Sequence, residues 1–438
     1  MKAMAVSAEH VARRARLLEL LGPRAALVLA SGPERLRNGD TDYKFRQDSD
    51  VLYLTGFHEP GTTIVLRPGH ETPFVMFVRP RDPAAETWTG RRAGVEGAAR
   101  DFGANAAFPS TELDAKLPEL LAGAEEVHFP FGREPTLDTT ISRAVGKLRV
   151  GERRGRRAPT RLVDARVTVH ELRLVKSPDE IALQRRAAAI TAEAHTAAMR
   201  AARPGVNEGE LEALIDYTFR RRGGAGPGYP TIVGAGVNAT ILHYVENNVP
   251  LAAGQLVLVD AGCEVEGYTA DVTRTFPAGG RFTEPQRRLY EAVLDAQLEA
   301  IAAVKPGATI DGIHDGVLRS LTRHLVALGL LTGEVDKLVE DGAYKPFYMH
   351  RTSHWLGIDV HDVGFYSLEG ASRPLVPGMV LTIEPGLYVA ADAENVPPEY
   401  RGLGVRIEDD LLVTATGHDN LTHETPKTVA EIEKLTAP

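Results

Sequence analysis

Cysteine is almost missing from this chain: Cys263 is the single example in 438 residues. One thiol cannot form an intrachain disulfide framework or a multi-thiolate zinc site. Cys263 is expected to be a small buried hydrophobe. A reducing compartment suits this composition, and a cytoplasmic location is expected. Long apolar runs are missing too. No segment approaches eighteen consecutive apolar residues, so no membrane-spanning helix is expected. Positive charge is outnumbered, with 50 Lys and Arg against 59 Asp and Glu, a formal charge of -9. That balance gives no general attraction to phosphate backbones or anionic lipid, and neither nucleic acid nor membrane is expected as a partner. The opening MKAMAVSAEHVARRARLLELLG has no signal-peptide core. Its Glu9 and Glu19 argue against a transit peptide despite Arg13, Arg14 and Arg16. It reads as an amphipathic helix stopping at Gly22-Pro23.

What is present is ordinary globular material, 43% hydrophobic and 25% charged, long enough for two or three domains. Short β-like runs at 25–31, 62–69 and 72–80 alternate with helical or loop segments, a mixed α/β pattern. The Arg-rich stretch 149–161 reads as a solvated loop, with no function assigned. Ser177-Pro178-Asp179-Glu180 carries the elements of a capping box, so a long helix should begin there and end before Pro204-Gly205. The domain boundary is placed just upstream, giving an N-terminal domain over 1–174 and a C-terminal domain over 175–438. Further helices are expected at 284–304 and 309–330.

The chemistry is concentrated in the second half. HRTSHWLGIDVHD, residues 350–362, packs three histidines and two acids into thirteen positions around Trp355, Leu356 and Gly357. QLVLVDAGCEVEGYTADVTRTF, residues 255–276, reads as a hairpin turning near Gly267. If Asp260 and Asp271 pair across it, a loop from Glu264 to Gly267 closes the register. Like charges directly opposed in this way, with Cβ atoms about 5 Å apart, repel unless a cation intervenes. In 378–386 and 404–414, strand alternation puts Glu384 opposite Leu381 and Ile383, and places Arg406 and Glu408 opposite Val405 and Ile407. Asp260, Asp271, Glu384 and Glu408 together carry four negative charges, which match two divalent cations with neutral His354 as a fifth ligand. Two such ions about 3.5–4 Å apart can share carboxylates and hold a hydroxide between them, a nucleophile made without serine or cysteine. Oxygen-dominated ligation favours Mn²⁺ among hard ions, with Zn²⁺, Co²⁺ and Fe²⁺ as alternatives.

The order Asp260, Asp271, His354, Glu384, Glu408, with HRTSHWLGIDVHD and GVRIEDD around two of them, closely resembles the aminopeptidase P and prolidase family. FRQDSDVLYLTGFHEP, TWTGRRAG and TIVGAGVNATILHYVEN point within it toward aminopeptidase P. The resemblance covers most of the chain. It implies an α/β fold: a C-terminal pita-bread catalytic domain and a smaller N-terminal creatinase-like domain. It also implies that Asp260 serves one metal, Asp271 and Glu408 bridge, and His354 and Glu384 serve the other. His243 and His361 would then contact the substrate backbone. His350 and Arg406 would line the pocket near the penultimate proline and the acids, and Glu384 would pass a proton to the leaving nitrogen. Tyr388, Trp88 and Asp40 match family positions near the site, although Trp88 also reads as a packed aromatic or an interface residue.

The reaction implied is hydrolysis of the bond between an N-terminal residue and a penultimate proline in a peptide. Prolidase activity on Xaa-Pro dipeptides is the near alternative, and a non-enzymatic pita-bread protein binding peptides or partners is the distant one. The full set of five ligands argues against the last, because unpaired buried acids are costly. A homo-oligomer, dimer or tetramer, is expected from the family.

Overall fold

A computed structural model describes residues 7–437. Its residues fall into two compact units divided between Arg173 and Leu174.

The first unit begins with helix α1, Ala8–Leu21, capped by the Ser7 side chain and ended by Gly22 at φ 73°. Arg13 and Arg14 on this helix are not surface charges. Both are buried, and they donate to the Tyr53 and Leu54 carbonyls at 3.0 and 2.7 Å, at the end of the short helix Ser49–Thr55. Cations there complement the helix carbonyls. Six of the strands that follow are β1 Ala25–Ala30, β2 Thr63–Leu66, β3 Phe74–Val78, β4 Ala106–Pro109, β5 Glu126–Phe129 and β6 Arg161–Asp164. They form one mixed sheet in the order β4-β3-β2-β1-β5-β6. Nearly continuous apolar runs such as Phe74–Val78 are buried along their whole length, as expected for strands covered on both faces. The Arg-rich stretch is not simply a loop. It starts on the last turn of the helix Pro135–Val150, passes a 3-10 turn and tucks Ala158 into the core before β6.

The second unit opens with helix α2, Pro178–Ala201, and its capping box is present: Ser177 Oγ accepts from the Glu180 N–H, and Glu180 Oε2 accepts from the Ser177 N–H. Helix α3, Glu208–Arg221, packs beside it. Strands β7 Ile232–Ala235, β8 Leu256–Asp260 and β11 Thr273–Pro277 form a three-stranded sheet in the order β7-β8-β11. Between β8 and β11 lies the small hairpin of β9 Cys263–Val265 and β10 Tyr268–Thr269. Helices α4, Glu284–Ala303, and α5, Ile310–Ala327, pack on each other. Four later strands are β12 Val380–Ile383, β13 Gly386–Tyr388, β14 Gly404–Arg406 and β15 Asp409–Val413, with β12 pairing β15 and β13 pairing β14. One apolar core runs through this unit, joining Leu289 and Val293 of α4 to Val257, Val259, Leu381, Ile383, Val405 and Ile407 on the strands. Cys263 is fully buried in it. These strands place acids at their ends, where the apolar anchoring residues stop.

Candidate metal centre

The hairpin carrying the first two acids departs from the expected register. Asp260 pairs with Thr273, not with Asp271, and the turn is the two-residue Glu266-Gly267 loop between Val265 and Tyr268. Both turn residues take positive φ, 52° and 91°, the geometry of tight hairpin turns. The shift is two residues, so it preserves the face. Asp271 therefore lies diagonally from Asp260, and the Tyr229 hydroxyl stands between them, 2.7 Å from Asp260 Oδ1 and 2.5 Å from Asp271 Oδ1.

Segment 404–414 is likewise two strands rather than one. Ile407 and Glu408 occupy the break between β14 and β15, where the Glu408 N–H donates to the Thr273 carbonyl. Glu408 Oε2 accepts from Thr273 Oγ at 2.7 Å. Arg406 and Glu408 both face the acids, as alternation predicts, while Val405 and Ile407 enter the core. Glu384 directly follows β12, its N–H donating to the Thr352 carbonyl.

His354 is oriented by its neighbour. Its Nδ1 lies 3.0 Å from the Trp355 carbonyl, which can only accept, so Nδ1 carries a proton. Nε2 is then the atom presented to the acids, 3.3 Å from Asp271 Oδ2 and 3.4 Å from Glu384 Oε1. Asp271, His354 and Glu408 each offer a donor atom within 4.8 Å of the others. Asp260 and Glu384 flank this group through Tyr229 and His354.

The electrostatics are those of crowded, buried acids. Asp271 is 5% and Glu408 2% exposed. Burial, then the charges of Asp271, Glu384 and Asp260, push the Glu408 carboxyl well above the usual range. Burial raises Asp271 as well. Burial pushes Glu384 up to about 7, against the attraction of His354. For His354 burial favours the neutral ring, but the hydrogen bond to Asp271 and the charges of Glu384 and Asp271 outweigh it and raise it to about 9. Crowding of these buried acids leaves the cluster short of positive charge. Arg406 supplies part of it, with Nη2 2.6 Å from Asp260 Oδ2. A divalent-cation pair would supply the rest, and the oriented Nε2 with four carboxylates is a suitable donor set.

The remaining expected residues divide into two groups. His350 lies beside the cluster: burial and Arg406 lower it to about 3. Its 3.7 Å approach to Glu384 is therefore no ion pair. The neutral ring donates from Nδ1 to the Arg351 carbonyl and accepts at Nε2 from the Tyr388 hydroxyl, at 2.8 and 2.9 Å. Tyr388 in turn accepts from Arg406 Nη1 at 3.1 Å. The His361 ring stands 4.5 Å from that of His354, at 75°. His243 is exposed in the turn after the 3-10 helix Gly236–Thr240. Asp40 and Trp88 belong to the first unit. Trp88 is 88% exposed on the helix Pro83–Thr89, which overturns the expectation of a packed aromatic.

Three neighbours were not legible in advance. Tyr229 sits in a glycine- and proline-rich loop with no periodic pattern. Thr273 looks like an ordinary strand threonine. Asp410, raised well above the usual range chiefly by burial, accepts the Asp271 N–H at 3.0 Å through Oδ2; the repeated acids of IEDD were the only hint of it.

The second unit of this α/β chain gathers buried acids around one histidine, an arrangement suited to divalent metal. Residues 182–415 match Metallopeptidase family M24, and residues 10–128 match the aminopeptidase P N-terminal domain. The chain is 47% identical to an Xaa-Pro aminopeptidase of Escherichia coli, over 98% of this chain and 97% of that one. It is 35% identical to human Xaa-Pro aminopeptidase 3, over 98% and 85%. Among solved structures, a Pseudomonas aeruginosa aminopeptidase superimposes with a TM-score of 0.97 at 44% identity, covering 99% of this chain and 98% of that chain. Escherichia coli aminopeptidase P in complex with substrate gives 0.94 at 46% identity, covering 98% and 97%. The chain belongs to the Xaa-Pro aminopeptidase family of M24 metallopeptidases, with the pita-bread catalytic fold.

Proposed function

We propose that the cluster holds two divalent cations and removes the N-terminal residue from peptides whose second residue is proline. The observation that carries this is the convergence of Asp271, His354 and Glu408, three residues far apart in the chain, to within 4.8 Å. Asp260, Asp271, His354, Glu384 and Glu408 would hold the ions, Asp271 and Glu408 serving both. Four carboxylates to one imidazole is a donor set suited to Mn²⁺. When bound, the ions supply activation of water near neutral pH and polarisation of a carbonyl.

The chain's own side chains handle the proton and the peptide. Glu384, raised toward neutrality by burial, takes a proton from water and returns it to the departing proline nitrogen, which must leave as a secondary amine. His361, exposed yet lowered by desolvation first and His354 next, offers with His243 ring N–H donors to the peptide backbone. The neutral His350 ring, edge to face with Tyr348 at 4.7 Å, gives a flat wall for a proline ring. Tyr229 and Arg406 hold the oxygens of Asp260 and Asp271 in place.

Among the described residues no helix is long and apolar enough to cross a membrane, and the single buried cysteine suits the cytoplasm. A homo-oligomer is the assembly proposed. Turnover of an Xaa-Pro-Xaa tripeptide against a Gly-Pro dipeptide tests the specificity: the tripeptide should be cleaved, and exclusive cleavage of the dipeptide would reject it.

A further inference from the structure

Asp362 ends the histidine-rich stretch but has no part in the chemistry above. Its backbone N–H donates to the Trp355 carbonyl at 2.8 Å and closes residues 355–362 into a loop. Within the loop the Gly357 N–H donates to the Asp359 carbonyl, and the Gly357 carbonyl accepts from Thr269 at 3.0 Å. The residues immediately before the two ends of the closing bond are His354 and His361. Closure therefore brings their rings together at 4.5 Å.

The side chain of Asp362 is anchored separately. Lys176 Nζ lies 2.8 Å from Asp362 Oδ2, and both side chains are 1% exposed. Lys176 is itself fixed, its N–H donating to the Gly378 carbonyl at 2.8 Å and its Nζ reaching the Leu174 carbonyl at 3.4 Å. Gly357 makes room for the pair: a Cβ there would stand 2.1 Å from Asp362 Oδ2 and 3.0 Å from Lys176 Cε. A buried ion pair is a poor way to gain stability, since apolar side chains of similar volume avoid its desolvation cost. It does fix direction, and the residue next to Asp362 is the exposed His361.

We infer that the Lys176–Asp362 pair is a positioning device for His361, holding its ring against His354 so that it meets a bound peptide. This rests on the reading of His361 as a substrate contact. The test uses the Mn²⁺-loaded full chain and an Xaa-Pro-Xaa tripeptide. Lys176→Met is combined with Asp362→Asn, which removes both charges at similar volume and leaves no unpaired charge in the core. This change is made with His361 present and in a His361→Ala background.

With His361 present, kcat should fall about ten- to a hundredfold, the scale set by misplacing a reacting group, while metal content per chain stays at the parent value. In the His361→Ala background the same change should cost less than about twofold, because the two act as one unit. Asp362→Asn alone, which preserves shape but leaves the Lys176 charge without its carboxylate, goes through the same cycle and should give the same pattern at an amplitude at least as large. Equal losses in both backgrounds would overturn the inference, showing a general structural role. An unchanged kcat with His361 present would overturn it as well. If His361→Ala itself left kcat and KM unchanged, the substrate-contact reading would fail, and the inference with it.

Discussion

His354 commits its Nδ1 proton to the Trp355 carbonyl 3.0 Å away, which makes Nε2 the atom through which the ring meets a proton or a cation. Without that bond the imidazole could turn and present either nitrogen to Asp271. A hydrogen bond from the second ring nitrogen is how metal-binding histidines are held in one tautomer. The same ring faces three acids drawn from three separate strand ends, so the site exists only once β11, β12 and the β14–β15 break are assembled.

Removing a shared acid should therefore remove the ions as well as the turnover. Asp271→Ala and Glu408→Ala are each expected to lower kcat/KM by more than about a hundredfold, since even outer partners of a metal site are worth ten- to a hundredfold. Elemental analysis should show fewer than two ions per chain. Wild-type turnover in both variants would contradict the assignment.

Tyr229 offers a finer probe. Burial first, then Asp260 and Asp271, push its hydroxyl well above its ordinary range, so it remains a donor between the two carboxylates at any working pH. Tyr229→Phe keeps the ring and deletes that donor. Metal affinity, followed by returning Mn²⁺ to chelated protein, should weaken about ten- to a hundredfold, while kcat at saturating metal changes less.

The first unit carries its own acid sensitivity. Asp50 is buried with Arg173 Nη1 at 2.7 Å and His170 Nε2 at 3.3 Å. Burial alone would raise its carboxyl, but the Arg173 charge and the His170 hydrogen bond hold it well below the usual range. A depressed folded value means the stabilisation is complete above the unfolded value of about 3.9 and is lost as pH falls toward the folded one. Asp50→Asn should cost about 3 kcal/mol at pH 7 by urea denaturation. The gap from the parent should narrow between about pH 4 and pH 2. A gap that widened in acid would contradict this.

Much of the site could be read from the sequence because its chemistry is unusual and its anchors are periodic. Apolar alternation fixed which way Glu384, Arg406 and Glu408 face, and the Ser177 capping box marked where α2 begins. The hairpin register was not readable. A Glu in the left-handed region at position 266 carries no turn signal of the kind Asn-Gly gives, so the tight two-residue loop went unrecognised. The break at Ile407-Glu408 is equally silent, because alternation continues across it while the pairing partner changes from β13 to β12. Tyr229 and Thr273 were missed because their importance lies only in what the fold brings beside them. Of the two readings of Trp88, packed aromatic or interface residue, the first fails because the helix that carries it buries none of its residues.

The most direct measurement is metal removal and return. Protein stripped by a chelator and titrated with Mn²⁺, with release of the N-terminal residue from an Xaa-Pro-Xaa tripeptide as readout, should be inactive at the start. Activity should climb to a plateau at two ions per chain. Turnover that survives chelation would show that the buried acids do not work through cations.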